Sequence, residues 1–336
     1  MRRRALLRAG LLAPLAAHAG EPAWPDRPLR LLVAYPPGGL SDETARALAQ
    51  GAGPLLGQPV LVEHRAGAGG VAAMEALARA APDGHTLGYC AISPLVIAPL
   101  LGRPGYDAQR DFTPVPGIVD TPVLVLAHPD FRPDSFAALI AFARAAPGRL
   151  RWASSGLATV GHLVLEQVMR ASGTRITHVP YKGGGQQLSD ALSGQFEVLS
   201  SNAAAQQLQY VRQGRLKALA VGAPQRLAVL PEVPTLAELG FPAANLVSSF
   251  GIFAPRGLAP ARLARLNAVF NAALQQRALR ERLAQGGNLP TGGSAAAFAR
   301  HIERQRALAL QLLPALQSPA SVETQRRFQP WALGQG

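Results

Sequence analysis

A single cysteine, Cys90, stands in 336 residues, so the chain has no intramolecular disulfide framework and no cysteine-rich metal centre. Charged side chains are scarce, 16% against a usual quarter. The hydrophobic share of 48% is nonetheless ample for a core, which excludes the charged, core-poor pattern of disorder. Lysine is almost missing, with only Lys182 and Lys217 beside 31 arginines. The formal net charge is +13, but the arginines are scattered singly among alanines and leucines. With no aromatic-interleaved basic stripe, long basic run or zinc-finger spacing, nucleic acid is not the expected partner. No segment offers eighteen uncharged apolar residues in a row, which argues against a membrane-embedded protein. A chain of 35.2 kDa sits where one core usually divides, so two domains are expected.

The first residues supply what the rest lacks. Arg2, Arg3, Arg4 and Arg8 precede an apolar stretch from Ala9 to Ala17 and a small-x-small site at Ala17-His18-Ala19. This is the pattern of a removable signal peptide over residues 1–19, and its loss leaves a net charge of +9. Export to the periplasm follows, by the general secretory route or, given the arginine pair, the twin-arginine one. Cys90 lies in the apolar run LGYCAISPLVIAPL and reads as a small buried filler.

Beyond the leader the chain repeats one grammar. A strand at 29–34 stops at Tyr35-Pro36-Pro37-Gly38-Gly39, and a helix runs on to about Gly51. A strand at 60–63 enters the loop from His64 to Gly70 and a helix at 71–80, and a further strand starts at Thr86. Strands at 123–127, 152–154, 176–179, 198–201 and 216–221 follow, with helices at 135–144, 161–171 and 186–192 between them. Residues 226–240 read as a loop and short helix. A return strand at 249–254 leads to helices at 260–276, 278–285 and 295–313. This order predicts an α/β fold of two lobes with open mixed sheets and a cleft between them. The expected division is lobe 1 over 20–122, lobe 2 over 123–246, and a return to lobe 1 over 247–336 that carries the C-terminal helices and tail.

Common cofactor signatures are missing from the loops. Gly67-Ala68-Gly69-Gly70 lacks the spacing and the ribose-binding acid of a dinucleotide fingerprint, and Lys182 precedes its glycines where a phosphate loop has its lysine after them. The seven histidines are dispersed without a metal-ligand spacing. Neither cofactor nor metal is expected. What the loops share is small residues at strand ends before helices, which leaves backbone N–H groups facing a prospective anion.

These loops resemble those of the periplasmic solute-binding proteins of tripartite tricarboxylate transporters, the Bordetella uptake proteins included. The resemblance rests on six ordered stretches: Tyr35-Pro36-Pro37-Gly38-Gly39 with Asp42 and Arg46; Gly57-Gln58-Pro59-Val60 through Gly70; Pro82-Asp83-Gly84; Ala153-Ser154-Ser155-Gly156 with His162-Leu163; Val179-Pro180-Tyr181-Lys182-Gly183; and Pro231-Glu232-Val233-Pro234-Thr235 with Glu238 and Gly240. It implies a monomeric flytrap that closes on a small organic mono- or dicarboxylate and hands it to membrane permease subunits, with no catalytic step. By the same resemblance Tyr35, Gly39, Ser41, Ala68, Gly69 and Ser93 lie at the ligand in the first lobe, and Ser154, Ser155, Thr159, His162, Tyr181, Lys182, Gly183 and Asn202 in the second. The chain departs from the family at His64, where Asn is usual, and at Ser201-Asn202, where an aspartate is common.

Elementary chemistry refines these candidates. The consecutive Gly38 and Gly39 permit the close backbone approach a carboxylate needs. Ser41 and Asp42 compete to cap the following helix, and an acid facing the cleft would repel an anion, so Asp42 is assigned to structure and Ser41 is left as a donor. Lys182 offers a charge for a second carboxylate. With Asp42 spent and Asn202 neutral, the expected solute is an uncharged-ended or carboxylate-ended acid and not an amino acid. Two other functions fit parts of the pattern. A secreted hydrolase would pair His162 with Ser154 or Ser155 and requires a buried acid within reach of His162. A solute sensor would present its closed form to a membrane receptor.

Overall fold

The segment LRLLV is an apolar run interrupted only by Arg30, and in the computed structural model, which describes residues 24–102 and 104–316, it forms strand β1 (Leu29–Val33) with the other four side chains buried. The expected signal peptide and the last twenty residues lie outside the described residues. After β1 come α1 (Leu40–Leu56), β2 (Val60–His64), α2 (Val71–Ala78), β3 (Thr86–Ala91) and the short helices α3 (Ser93–Val96) and α4 (Ala98–Leu101). β1 lies between β2 and β3, parallel to both, and helical connections join the parallel strands. α1 runs past its expected end at Gly51, through Pro54, to Gly57, whose φ of 73° lets its N–H close on the Gly53 carbonyl.

Strand β4 (Phe112–Ala127) begins well before the expected Val123. Pro114 and Pro116 mask that half of the strand in the sequence, because a proline cannot donate to a ladder. Here they sit where the register with the neighbouring strand slips, between Pro114 and Gly117 and again before Val119. The chain continues through α5 (Phe136–Ala145), β5 (Arg151–Ser154), α6 (Val160–Ser172), β6 (Thr177–Pro180), α7 (Gly184–Leu192), β7 (Val198–Asn202), α8 (Ala205–Arg212) and β8 (Lys217–Gly222). It ends with β9 (Val247–Pro255), α9 (Pro260–Leu274), α10 (Arg277–Gln285), β10 (Leu289–Gly292) and α11 (Ala295–Leu316). Ser135 caps α5 as expected, accepting from the Ala138 N–H at 3.2 Å. The polar α8 and the proline-bearing β10 are not legible in the sequence. The short helix expected in 226–240 is instead a single turn. Thr235 and Glu238 cap each other there, but Gly240, at φ 85°, ends the turn before a helix can propagate.

The strands run β2-β1-β3-β9-β4-β7-β5-β6, with β8 and β10 also pairing with β4. β4 therefore belongs to both lobes. Its residues 112–122 pair with β9, and β10 joins beside Gly117–Asp120, whereas Val123–Ala127 pair with β7 and β8. Along that second half the side chains alternate: Val123, Val125 and Ala127 enter the main core, and Leu124 and Leu126 a separate core with Phe196, Leu199 and Leu208. α9 packs on α1 and β4, whereas α11 lies across both lobes, touching β4 and α3 on one side and α6 on the other. Gln167 of α6 donates to the Leu312 carbonyl of α11 at 3.1 Å. Among the described residues no helix is long and apolar enough to cross a membrane.

Where β9 pairs with β3 and the first half of β4, the packing tolerates no extra atom. A Cβ on Gly251 would stand 2.2 Å from the Phe298 ring of α11 and 2.9 Å from the Pro116 carbonyl oxygen. Gly251→Ala is expected to lower unfolding stability by about 1–3 kcal/mol through overpacking. Urea denaturation of parent and variant measures the loss.

Candidate functional site

Both lobes contribute loops to one cavity of about 50 Å³ at their junction, room for a few water-sized groups. The strand-to-helix turn after β1 enters it through Tyr35, Gly38, Gly39 and Ser41. Gly39 is the N-terminal flank of α1 and makes no side-chain cap. Neither Ser41 nor Asp42 is therefore the cap residue. Asp42 reaches back from the first turn to accept from the Gly38 N–H at 3.0 Å, and its other oxygen meets Arg46 Nε at 2.7 Å and His64 Nε2 at 3.0 Å. His64 closes the circle by bonding the Tyr35 carbonyl through Nδ1 at 2.8 Å. Asp42 is structural, as expected, and the loop it holds is fixed from three sides.

The second lobe contributes three further turns of the same kind. Thr159 caps α6: its hydroxyl oxygen accepts from the His162 N–H at 3.3 Å and donates to the Gly156 carbonyl at 2.7 Å. Thr159, Val160 and Gly161 face the cavity, as do Ser155 before them, Gly184 and Gly185 in the first turn of α7, and Ala204 with Gln206 and Gln207 at the start of α8. The positive ends of four helices, α1, α6, α7 and α8, thus converge on one small volume. Among the described residues no lysine, arginine or histidine lines it. Phe250 and Ser248 of β9 complete the wall, with the Phe250 ring packed edge-on to Tyr35 at 6.0 Å. Burial drives the Tyr35 hydroxyl well above the usual phenol range, so it stays a neutral donor. Burial likewise pushes the Cys90 thiol up to about 12, leaving it inert.

Of the residues singled out in the sequence, Tyr35, Gly38, Gly39, Ser41, Ser93, Ser155, Thr159 and Asn202 line the cavity. The others are placed around it. Gly69, at φ 64°, has its Cα against the opposite lobe, where a Cβ would stand 2.3 Å from the Leu157 carbonyl oxygen. Gly183 is pressed against Pro36, with a Cβ position 2.5 Å from its Cδ. Both glycines serve the contact between the lobes, and Ala68, at φ 48°, shapes the loop before Gly69. Tyr181 donates to Asp190 Oδ2 at 2.7 Å, and Lys182 is exposed. Glu43, Gly184, Gly185, Ser201, Gln206, Gln207, Ser248 and Phe250 also line the cavity without having been singled out. The two glycines that open α7 repeat the signal used for Gly38 and Gly39, whereas the glutamines carry no pattern of their own.

Ser154 and His162 turn away into a buried polar cluster. Ser154 Oγ donates to the Gly156 carbonyl at 3.0 Å and bonds His178 Nε2 at 2.7 Å. The His178 ring stacks on His162 at 4.5 Å. His162 Nδ1 accepts from the Ala158 N–H at 3.3 Å, which puts its proton on Nε2, 3.3 Å from Glu166 Oε1. The buried acid that a hydrolase requires is present, but the relay is broken. The serine bonds one imidazole, the acid meets the other, and stacked rings exchange no proton. Burial, reinforced by the neighbouring His162, holds His178 well below the ordinary histidine value of 6.5. The fold therefore excludes a proton that the unfolded chain takes up as pH falls below about 6.5. Stability is thus unaffected above that pH and is lost on acidification. His178→Asn is expected to make the acid side of the stability profile shallower by up to about 1.4 kcal/mol per pH unit. Denaturant unfolding of both proteins between pH 7 and 5 reads the difference.

A two-lobed α/β fold with helix ends meeting at the lobe junction defines the class of flytrap binding proteins. Residues 44–316 match the model of the tripartite tricarboxylate transporter family receptor, and the chain belongs to that family. It is 38% identical over 284 residues to protein BugT of Bordetella pertussis, covering 84% of this chain and 86% of BugT. Among solved structures it resembles MatC of Rhodopseudomonas palustris with bound malate, at 30% identity and a TM-score of 0.82, covering 86% of this chain and 100% of the other. A second R. palustris protein, solved with adipate, is 31% identical with a TM-score of 0.82 and coverages of 87% and 98%.

Proposed function

We propose that this chain is an exported, monomeric receptor that captures a small organic carboxylate in the periplasm and delivers it to membrane permease subunits. One observation carries the reading: four helix N-termini from both lobes converge on a cavity that, among the described residues, no side-chain cation lines. Such a volume suits a carboxylate held by backbone N–H groups and hydroxyls. The malate and adipate in the two R. palustris relatives support the same class of solute. The basic leader supports export. The moving units are 20–122 with 247–336 on one side and 123–246 on the other, joined where β4 and the segment before β9 change lobes. The broken serine-histidine-acid order around Ser154 favours binding without turnover.

Capture requires that the solute favour the closed arrangement over the open one. Gly183 gives a direct test, because its φ of 162° is extended and its replacement carries no backbone strain. Gly183→Val drives a side chain into Pro36 of the other lobe and is expected to weaken carboxylate binding by about tenfold or more with little loss of melting temperature. Gly39→Val fills the cavity itself and is expected to abolish binding. Titration calorimetry with a panel of mono- and dicarboxylates measures both. Failure of every acid to bind the parent protein, or unchanged affinity in both variants, would overturn the reading.

A further inference from the structure

Among the described residues Glu43 is the single formally charged one lining the cavity. It sits in the first turns of α1, where an acid usually serves the helix end. That service is already performed by Asp42, which takes the Gly38 N–H, Arg46 and His64. The half-buried carboxylate of Glu43 has no hydrogen bond or ion pair among the described residues, and its helical neighbours supply none: Leu40 and Ala47 are apolar, Gly39 has no side chain and Arg46 is engaged with Asp42. A second acceptor stands in the same wall. Gln207 is buried and donates through Nε2 to Ser201 Oγ at 3.2 Å, which leaves its Oε1 shielded from solvent without a partner. A buried acceptor such as Gln207 Oε1 is costly without a donor, and among the described residues no cation meets it or the half-buried Glu43.

The cavity thus presents two kinds of chemistry. Helix ends and the hydroxyls of Ser41, Ser93 and Ser155 suit an anion, and Glu43 with Gln207 Oε1 suits a cationic donor. The exposed Lys182 lies outside the lining, so the second carboxylate it would have received loses its partner. We infer that the solute is a carboxylate that also bears an ammonium group, and that Glu43 is the residue selecting it. This reverses the preference for a non-amino acid drawn from Asp42 and Asn202, and it rests on the carboxylate-receptor reading above.

The test is calorimetry with probes that share a skeleton and differ at one group: succinate, malate and aspartate; glutarate and glutamate; butyrate and 4-aminobutyrate. The parent protein is expected to bind at least one ammonium-bearing member about 10- to 100-fold more tightly than its partners. Glu43→Gln is expected to bring that ratio close to one, and Glu43→Asp to restore part of it. Thermal melting of each variant checks that it is folded. Equal or tighter binding of the acids without an ammonium group, or a ratio unchanged in Glu43→Gln, overturns the assignment while leaving the receptor reading intact. If none of the seven acids binds, the receptor reading and the assignment fall together.

Discussion

An anion can be held without a side-chain cation only if backbone N–H groups reach it from several directions, and a Cβ in the wrong place prevents that approach. Much of this molecule follows from that constraint. Glycines stand where the strands before α1, α6 and α7 turn into those helices at the cavity, and again where one lobe touches the other. Gly69 lies under the Leu157 carbonyl and Gly183 under Pro36, each closer than a methyl group allows. Closing the lobes and completing the ring of donors are therefore one geometric event. Helix ends contribute to an anion only within their first turn, so a small displacement of either lobe would separate the donors and dissolve the site.

The lobes are joined by elements that cannot move independently. β4 is one continuous strand shared between two sheets, and β9 runs beside it on the first-lobe side. The same β9 carries Ser248 and Phe250 into the cavity wall, so the binding surface includes the connection itself. α11 spans the junction from outside, with Phe298 under Gly251 and Leu312 bonded to Gln167. Behind the second-lobe donors, the Ser154-His178-His162-Glu166 cluster fixes the loop from Ser154 to Thr159. It does so with polar groups in a dry interior, where partial satisfaction is costly and geometry is tightly set.

The fold was legible because its grammar is local. Apolar runs end in proline and glycine, capping residues follow, and six loops occur in order. What escaped was what depends on partners. The first half of β4 hides behind Pro114 and Pro116, which are tolerated only because the register slips beside them. α8 offers only a short apolar stripe, Leu208 with Val211, and its Gln206 and Gln207 reach the cavity through tertiary placement alone. Gly69 and Gly183 read as ligand-facing because loop glycines near an anion and loop glycines at a tight contact look identical in one dimension. Ser154 and Ser155 are adjacent and chemically the same, yet strand alternation sends one to His178 and the other to the cavity.

Charge placement follows a similar separation of roles. The chain is strongly basic, yet its arginines keep to the periphery, as in the pairs Arg30–Glu63, Arg151–Glu197 and Arg226–Glu238. Such exposed pairs are worth little individually and are weakened by salt. A diffuse positive field of this kind draws anions toward the protein without deciding which is retained. Among the described residues the cavity is lined by no cationic side chain and by one carboxylate, Glu43. A half-buried acid is less screened than the surface pairs, and it disfavours an anion that brings no positive group to meet it.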